Sequence, residues 1–135
     1  MATISLCMIV KNEEKVLGRC LDSAKDITDE IIIVDTGSTD ETKEIARRYG
    51  AKIFDQKWQD DFSLARNFSF SKATMDYCMW LDADDIIREE EAAKLIHWKA
   101  EADGSEDVLM LRYVVAFDEK RNPTLVYYRE RIVKN

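Results

Sequence analysis

Short apolar runs that alternate with amphipathic stripes constrain this chain more than anything else in it. Ile4–Val10 reads ISLCMIV, an almost unbroken apolar stretch, and runs straight into the polar segment Lys11-Asn12-Glu13-Glu14. A strand with one face in water alternates apolar and polar residues, whereas one that is apolar at successive positions is covered on both faces, as in a parallel sheet. Ile4–Val10 is therefore expected to be the first, central strand. Val16, Leu17, Cys20, Leu21 and Ala24 then recur at helical spacing, which predicts a helix over 13–25 with Asn12 as its cap. Glu30–Asp35 (EIIIVD) repeats the buried-strand pattern. Ser38 followed three residues later by Glu41 carries the capping-box signature, Thr42, Ile45, Ala46 and Tyr49 supply an inward stripe, and Gly50 ends the second helix. With a short third strand over 51–54, the order strand, helix, strand, helix, strand predicts right-handed crossovers and a parallel α/β sheet.

Leu64, Ala65 and Phe68 place a helix over 62–72, and 77–81 (YCMWL) reads as another buried strand that opens directly into Asp82-Ala83-Asp84-Asp85. A helix over 89–102, with Ala92, Ala93, Leu95, Ile96 and Trp98 inward, is broken by Asp103-Gly104-Ser105. Val108–Phe117 and 124–133, joined by the polar stretch 118–123, resemble a long hairpin. No linker, repeat or low-complexity tract divides the 135 residues, of which 46% are apolar, so residues 1–135 are expected to form a single domain.

Charge and cysteine usage exclude several classes. Acidic residues outnumber basic ones, 27 to 20, and the net charge of −7 argues against a nucleic-acid partner, because any phosphate must be met locally or through a cation. Cys7, Cys20 and Cys78 are odd in number and lack a Cys-x-x-Cys spacing, which points to buried thiols in a reducing compartment. The first apolar run is too short to span a bilayer, and Lys11 follows it where a signal peptide would carry its charge in front. The expectation is a soluble, cytoplasmic protein with no transmembrane segment.

Parallel α/β sheets bind ligands at the carboxyl ends of their strands, near the point where strand order reverses. Three polar groups fall there: Lys11-Asn12-Glu13, Asp35-Thr36-Gly37-Ser38, and Asp82 to Asp85. Asp82 and Asp84 offer hard oxygen ligands, suited to Mg²⁺ or Mn²⁺ more than to zinc, and such a cation could bridge to a diphosphate. Acids also simply end strands and cap helices, so an isolated Asp-x-Asp is weak by itself. Asp35 could accept hydrogen bonds from a base edge or ribose hydroxyls, although Gly37, Ser38 and Glu41 are equally explained as a turn and cap. Arg66 could contact a nucleotide or neutralise Asp35 or Asp82. His97 is the only histidine and reads as a helix-surface residue, so neither a His-based triad nor a two-His metal site can be assembled.

Taken together, these motifs resemble the amino-terminal, nucleotide-binding part of family 2 glycosyltransferases of the GT-A fold. That family opens with a Pro-x-Tyr-Asn-x-Glu-like loop, here Lys11-Asn12-Glu13-Glu14 after Met8-Ile9-Val10, and continues with Val-Asp-Asp-Gly-Ser-x-Asp, here Val34-Asp35-Thr36-Gly37-Ser38-Thr39-Asp40. An Ala-Arg-Asn helix (Ala65-Arg66-Asn67) and an apolar strand ending in Asp-x-Asp (Asp82-Ala83-Asp84) follow in the same order. The resemblance implies a Rossmann-type, mostly parallel sheet with flanking helices and a carboxy-terminal hairpin. It implies a metal-dependent inverting transfer from a nucleoside-diphosphate sugar, with a UDP-sugar the favoured donor and Mn²⁺ or Mg²⁺ as cofactor. Val10, Asn12, Asp35, Arg66 and Asp82 would bind the nucleotide, Asp35 and Arg66 at base and ribose, with Asp82 also beside the metal and Asp84 its main ligand. Lys11, Thr36 and Asp61 depart from the family pattern, at a base-stacking aromatic, a second Asp and a Gly. The tail 129–135 resembles a segment that continues into the acceptor-binding half, so 1–135 is expected to be the donor part of a longer transferase, without acceptor site or base.

The sequence admits two other readings. Asp82-x-Asp84 superficially matches the strand-end motif of Asp-nucleophile phosphatases, but Ile86 stands where that motif carries Thr or Val. A noncatalytic nucleotide-binding or partner-binding module derived from a transferase half would bind donor without turnover. An exposed sheet edge could also support a homodimer.

Overall fold

The computed structural model describes all residues, 1–135. Six strands and four helices follow in the order β1 (Ile4–Val10), α1 (Leu17–Ala24), β2 (Glu30–Asp35), α2 (Thr42–Arg48), β3 (Lys52–Asp55), α3 (Phe62–Ser71), β4 (Tyr77–Trp80), α4 (Glu89–Glu101), β5 (Val108–Phe117) and β6 (Pro123–Lys134). They build one sheet in the order β3-β2-β1-β4-β6-β5. The pairs β1/β2, β1/β4 and β2/β3 are parallel, and β6 runs antiparallel to both β4 and β5. The chain thus builds outward from β1 through β2 to β3 and then returns to the other side of β1 with β4. That reversal places a topological switch point between β1 and β4.

The unbroken apolar run of β1 is explained by its two neighbours above and below. Ile4, Leu6, Met8 and Val10 pack into the main core with Leu17, Cys20, Leu21 and Ala24 of α1 and Leu95 of α4. Cys7 points to the opposite layer and joins Ile32 and Cys78, against which Phe70 of α3 packs. Every residue of β2 is buried as well. Each fully buried aliphatic side chain contributes about 1.5–3 kcal/mol, and truncating Leu6, fully inaccessible, to alanine removes about 2–5 kcal/mol. All three cysteines are buried free thiols. No helix is long and apolar enough to cross a membrane.

Several local expectations are corrected. Helix α1 starts at Leu17, after a turn closed by Leu17 N–H on the Glu13 carbonyl at 2.9 Å, and has no side-chain cap. Asn12 is not its cap: it sits at φ 52° and its Oδ1 accepts from Thr39 N–H at 2.8 Å. The capping box of Ser38 and Glu41 does not form either. Asp40 Oδ1 takes the Thr42 N–H at 2.9 Å, while Ser38 Oγ accepts from Asn12 N–H at 2.8 Å. The groups the box needs are taken elsewhere: the Glu41 N–H donates to Glu14 Oε2 at 3.1 Å, the Ser38 N–H to Asp35 Oδ1 at 2.7 Å, and Ser38 Oγ serves the Asn12 amide. On α3 and α4, Leu64 and Ile96 are 48% and 44% exposed and Ala93 is exposed, since one core face of a helix seats only part of its apolar residues.

Candidate functional site

The loops after β1 and β2 form the first wall of the site, and they are laced to each other. Asn12 N–H donates to Ser38 Oγ at 2.8 Å, Thr39 N–H to Asn12 Oδ1 at 2.8 Å, and Glu13 N–H to Thr42 Oγ1 at 2.8 Å. Glu14 completes the exchange, its N–H donating to Asp40 at 3.3 Å and its carboxylate accepting Glu41 N–H at 3.1 Å. The left-handed backbone of Asn12, which asparagine tolerates better than most residues, turns its side chain toward the second loop.

Val10 closes the floor of this wall. Its side chain is buried in the core, and its carbonyl accepts from Thr36 N–H at 3.0 Å. Asp35, at the end of β2, is 1% exposed. Its Oδ1 accepts from Gly37 N–H at 2.9 Å and Ser38 N–H at 2.7 Å, whereas its Oδ2 is buried with no partner. A buried acceptor without a donor costs about 1–3 kcal/mol. An ordered water, an ion or a ligand donor would each satisfy such an atom.

The second wall comes from α3 and β4. Asp61 caps α3, its Oδ1 accepting from Ser63 N–H at 2.9 Å, so the departure from glycine at this position starts the helix that carries Arg66. The Arg66 guanidinium stacks on Trp80, 4.0 Å from the ring centroid. A cleft between α3 and β4 is lined by Ile9, Phe62, Arg66, Trp80 and Asp82, which brings Arg66 and Asp82 to one place. Burial lowers the Arg66 pKa, opposed by the Asp82 carboxylate.

Just beyond β4, ligand-capable oxygens of Asp82, Asp84 and Asp85 lie within 4.8 Å of one another. Burial and the Asp85 carboxylate push the Asp82 carboxyl above its ordinary value, against the pull of Arg131 and Arg66. Glu13 is pushed up too, by burial and then by Asp84, Asp40 and Asp82, which brings the first wall electrostatically up against the acidic turn. The same turn raises the Cys20 thiol to about 12, after the larger effect of burial. Hard, crowded carboxylates whose charge lacks full local compensation fit a divalent oxygen-preferring cation such as Mg²⁺ or Mn²⁺.

The structure brings the sequence-predicted residues together in two groups at the carboxyl ends of the strands: Asn12 and Asp35 on the laced loops after β1 and β2, and Arg66 and Asp82 in one cleft with Asp84 in the turn beside it. Val10 acts from below through backbone and packing. Trp80 and Arg131 escaped sequence reasoning, and Asp85, grouped there with the strand-end carboxylates, was given no role of its own. Trp80 Nε1–H donates to the Glu130 carbonyl at 2.8 Å, and Arg131 Nη1 donates to Asp85 Oδ2 at 3.0 Å. The available signal was an arginine placed immediately before Ile132-Val133 in a strand. His97 is exposed on α4, away from this site.

Comparison with known proteins gives the family and the fold. The sequence profile of Glycosyl transferase family 2 matches residues 5–132. The TPR repeat-containing protein Synpcc7942_0270 of Synechococcus elongatus is 52% identical over 87 residues, 64% of this chain and 22% of that protein. The SPbeta prophage-derived glycosyltransferase SunS of Bacillus subtilis is 39% identical over 95 residues, 69% of this chain and 22% of that one. This chain thus spans about a fifth of the length of these two relatives. Among solved structures, glucosyl-3-phosphoglycerate synthase of Mycobacterium tuberculosis, in complex with Mn²⁺, UDP and phosphoglyceric acid, superposes with a TM-score of 0.55 at 27% identity. It covers 63% of this chain and 34% of that one.

Proposed function

This chain belongs to glycosyl transferase family 2, and from that membership we propose that it forms the donor-binding part of a metal-dependent, inverting glycosyltransferase that takes a UDP-sugar. The observation that carries the proposal is the buried, unpartnered Oδ2 of Asp35, set across the β1/β4 switch from Arg66 and the Asp82/Asp84 pair. An acceptor atom enclosed at the end of β2 fits a ring N–H of a base. Arg66, held flat on Trp80, is supplied with a fixed direction from which its N–H groups meet ribose or phosphate oxygens. Support for the nucleotide comes also from the UDP and Mn²⁺ present in the mycobacterial synthase complex.

Asp82 and Asp84 are proposed to hold the cation, with Asp84 as the main ligand. When bound, a divalent ion supplies neutralisation of the charge that gathers on a departing nucleoside diphosphate. The chain's own residues do the rest of the donor chemistry. Asn12 fixes the loop that borders the base, Asp35 orients the base, Arg66 counters diphosphate or ribose charge, and Arg131 and Arg66 oppose the upward shift of the Asp82 carboxyl.

Two carboxylates, Asp85 and Asp118, are committed to structure. Asp85 is bonded to Arg131, and Asp118 accepts Lys120 N–H at 2.9 Å and Asn122 N–H at 2.8 Å within its own turn. The acceptor and the group that takes its proton are proposed to belong to parts of the protein outside residues 1–135, as this chain spans about a fifth of the length of its relatives. The three buried free thiols support a reducing, cytoplasmic setting.

Calorimetric titration of UDP, with GDP as comparison, in Mn²⁺ and in EDTA tests the reading. Binding of UDP that requires Mn²⁺ and is lost in Asp84→Ala is the expected result. Failure of both nucleotides to bind in Mn²⁺ would overturn it.

A further inference from the structure

The three carboxylates after β4 are not equivalent. Asp82 and Asp84 are exposed, whereas the Asp85 side chain is only 12% exposed and its Oδ2 is already engaged twice. It accepts Asp82 N–H at 2.9 Å and Arg131 Nη1 at 3.0 Å. Arg131 comes from β6, 46 residues further along, and is itself 5% exposed. The antiparallel register that sets Met79 opposite Ile132 brings the preceding Arg131 beside Trp80. There Nη1 also reaches the Trp80 carbonyl at 3.3 Å, and the guanidinium carbon lies 3.9 Å from the Trp80 ring centroid and 5.0 Å from that of Tyr113.

An arginine buried this deeply is tolerated only when its charge is paired and its donors are satisfied. Its partner here is the carboxylate that closes the Asp82–Asp85 turn, and the second acceptor is the last carbonyl of β4. A single guanidinium nitrogen, Nη1, therefore ties the strand end to the turn that follows it. The same indole, held from behind by the Glu130 carbonyl, is the platform on which Arg66 lies. β6 thus reaches both halves of the donor site without touching its open face.

We propose that Arg131 is a positioning residue for the cation site: by clamping Asp85 to the Trp80 carbonyl, it fixes the turn that presents Asp82 and Asp84 and reserves Asp85 as a strut, not a third ligand. The inference rests on the cation reading given above. It assigns different duties to acids that lie within one turn, and it makes β6 a determinant of metal affinity.

The test measures Mn²⁺ affinity by electron paramagnetic resonance and the hydrogen exchange of the Asp82 amide by NMR without metal. Wild type, Arg131→Met, Arg131→Lys, Asp85→Asn and Asp84→Ala are compared, with near-ultraviolet circular dichroism to establish native packing. Removing a residue that orients metal ligands typically costs about 10–100-fold in affinity. Arg131→Met is expected to weaken Mn²⁺ binding about tenfold or more and to speed Asp82 amide exchange by a similar factor. Arg131→Lys, which keeps a charged donor, recovers both measurements to within about threefold of wild type on the same scale. Asp84→Ala abolishes Mn²⁺ binding and leaves the amide unchanged.

A natively packed Arg131→Met with wild-type Mn²⁺ affinity and wild-type exchange at Asp82 overturns the inference alone. So does Asp85→Asn matching the loss in Asp84→Ala while the Asp82 amide stays protected, because Asp85 would then be a ligand. If Arg131→Met does not fold, Arg131→Lys and Asp85→Asn decide by the same two measurements. Wild type that fails to bind Mn²⁺ overturns the cation reading and this inference with it.

Discussion

The amide of Ser38 donates to Asp35 Oδ1 at 2.7 Å, and this bond leaves the other oxygen of Asp35 buried with nothing to accept from. One carboxylate thus serves two purposes: half of it builds the turn after β2, and half of it faces an unmet donor. Asp35→Asn separates them, because the amide keeps an oxygen for Gly37 and Ser38 and places NH₂ where the free oxygen stood. UDP affinity is expected to fall about 10–100-fold, equivalent to about 1.4–2.8 kcal/mol, while the urea midpoint moves little. Asp35→Ala, by contrast, should lose the turn bonds and cost about 1–3 kcal/mol of folding stability. Equal UDP affinity in Asp35→Asn and wild type would remove Asp35 from the donor site.

Gly37 lies in the same turn at φ 124°, where side chains are strained irrespective of space. A Cβ there would meet only the Lys11 side chain, 4.0 Å away, so the cost of adding one is backbone energy. Gly37→Ala should destabilise the fold by about 1–3 kcal/mol, read from chemical denaturation. A neutral substitution would show that the turn relaxes to an ordinary φ.

Asn12 predicts a coupled loss. Its side-chain oxygen is the acceptor for Thr39 N–H, and its backbone occupies the left-handed region at φ 52°. Asn12→Ala removes the acceptor and strains the backbone, with an expected cost of about 1–3 kcal/mol. Amide exchange should accelerate together at Asn12, Glu13, Thr39 and Glu41, residues of both loops. Acceleration confined to one loop would contradict the lacing.

Far from the donor site, at the amino end of β2, Glu30 is 7% exposed and accepts from Lys52 Nζ at 2.6 Å, Thr74 N–H at 2.9 Å and Thr74 Oγ1 at 3.0 Å. Burial alone would raise its carboxyl, but the bonds from Lys52, Ser5 and Thr74 outweigh it and hold the pKa at about 2. Because the folded value lies below the unfolded one of about 4.3, the ionised folded state is favoured. This stabilisation, on the order of 2–3 kcal/mol, is complete above about pH 5 and is lost as pH falls toward 2. Glu30→Gln should therefore be less stable than wild type at pH 7, with the two unfolding curves converging near pH 2. Parallel curves across that range would refute the account.

How much was legible follows from where each signal lies. The strands and helices were, because two-sided burial writes an apolar run into β1 and β2, and helical spacing writes a stripe into α1. The site was legible in outline, because its residues lie at strand ends and in motifs that resemble those of a family. Cap chemistry was not. Ser38 and Glu41 have the right spacing for a box, but Asn12 claims the Ser38 hydroxyl and Glu14 claims the Glu41 amide. The Arg131 clamp could not be read from local spacing either, since it depends on the register between β4 and β6 and on 46 intervening residues. Leu64 and Ile96 misled for a simpler reason: apolar residues are common on helix surfaces.

The position of β6 inside the sheet has a consequence for synthesis. β1 to β4 contain their own parallel pairings and can dock while residues 123–134 are still unmade, yet β6 must enter beside β4, with β5 outside it. Glu130 and Arg131 arrive with β6. The Asp82–Asp85 turn therefore depends on a strand made later than the loops after β1 and β2, and its bond to Arg131 can form only once residues 123–134 have been added.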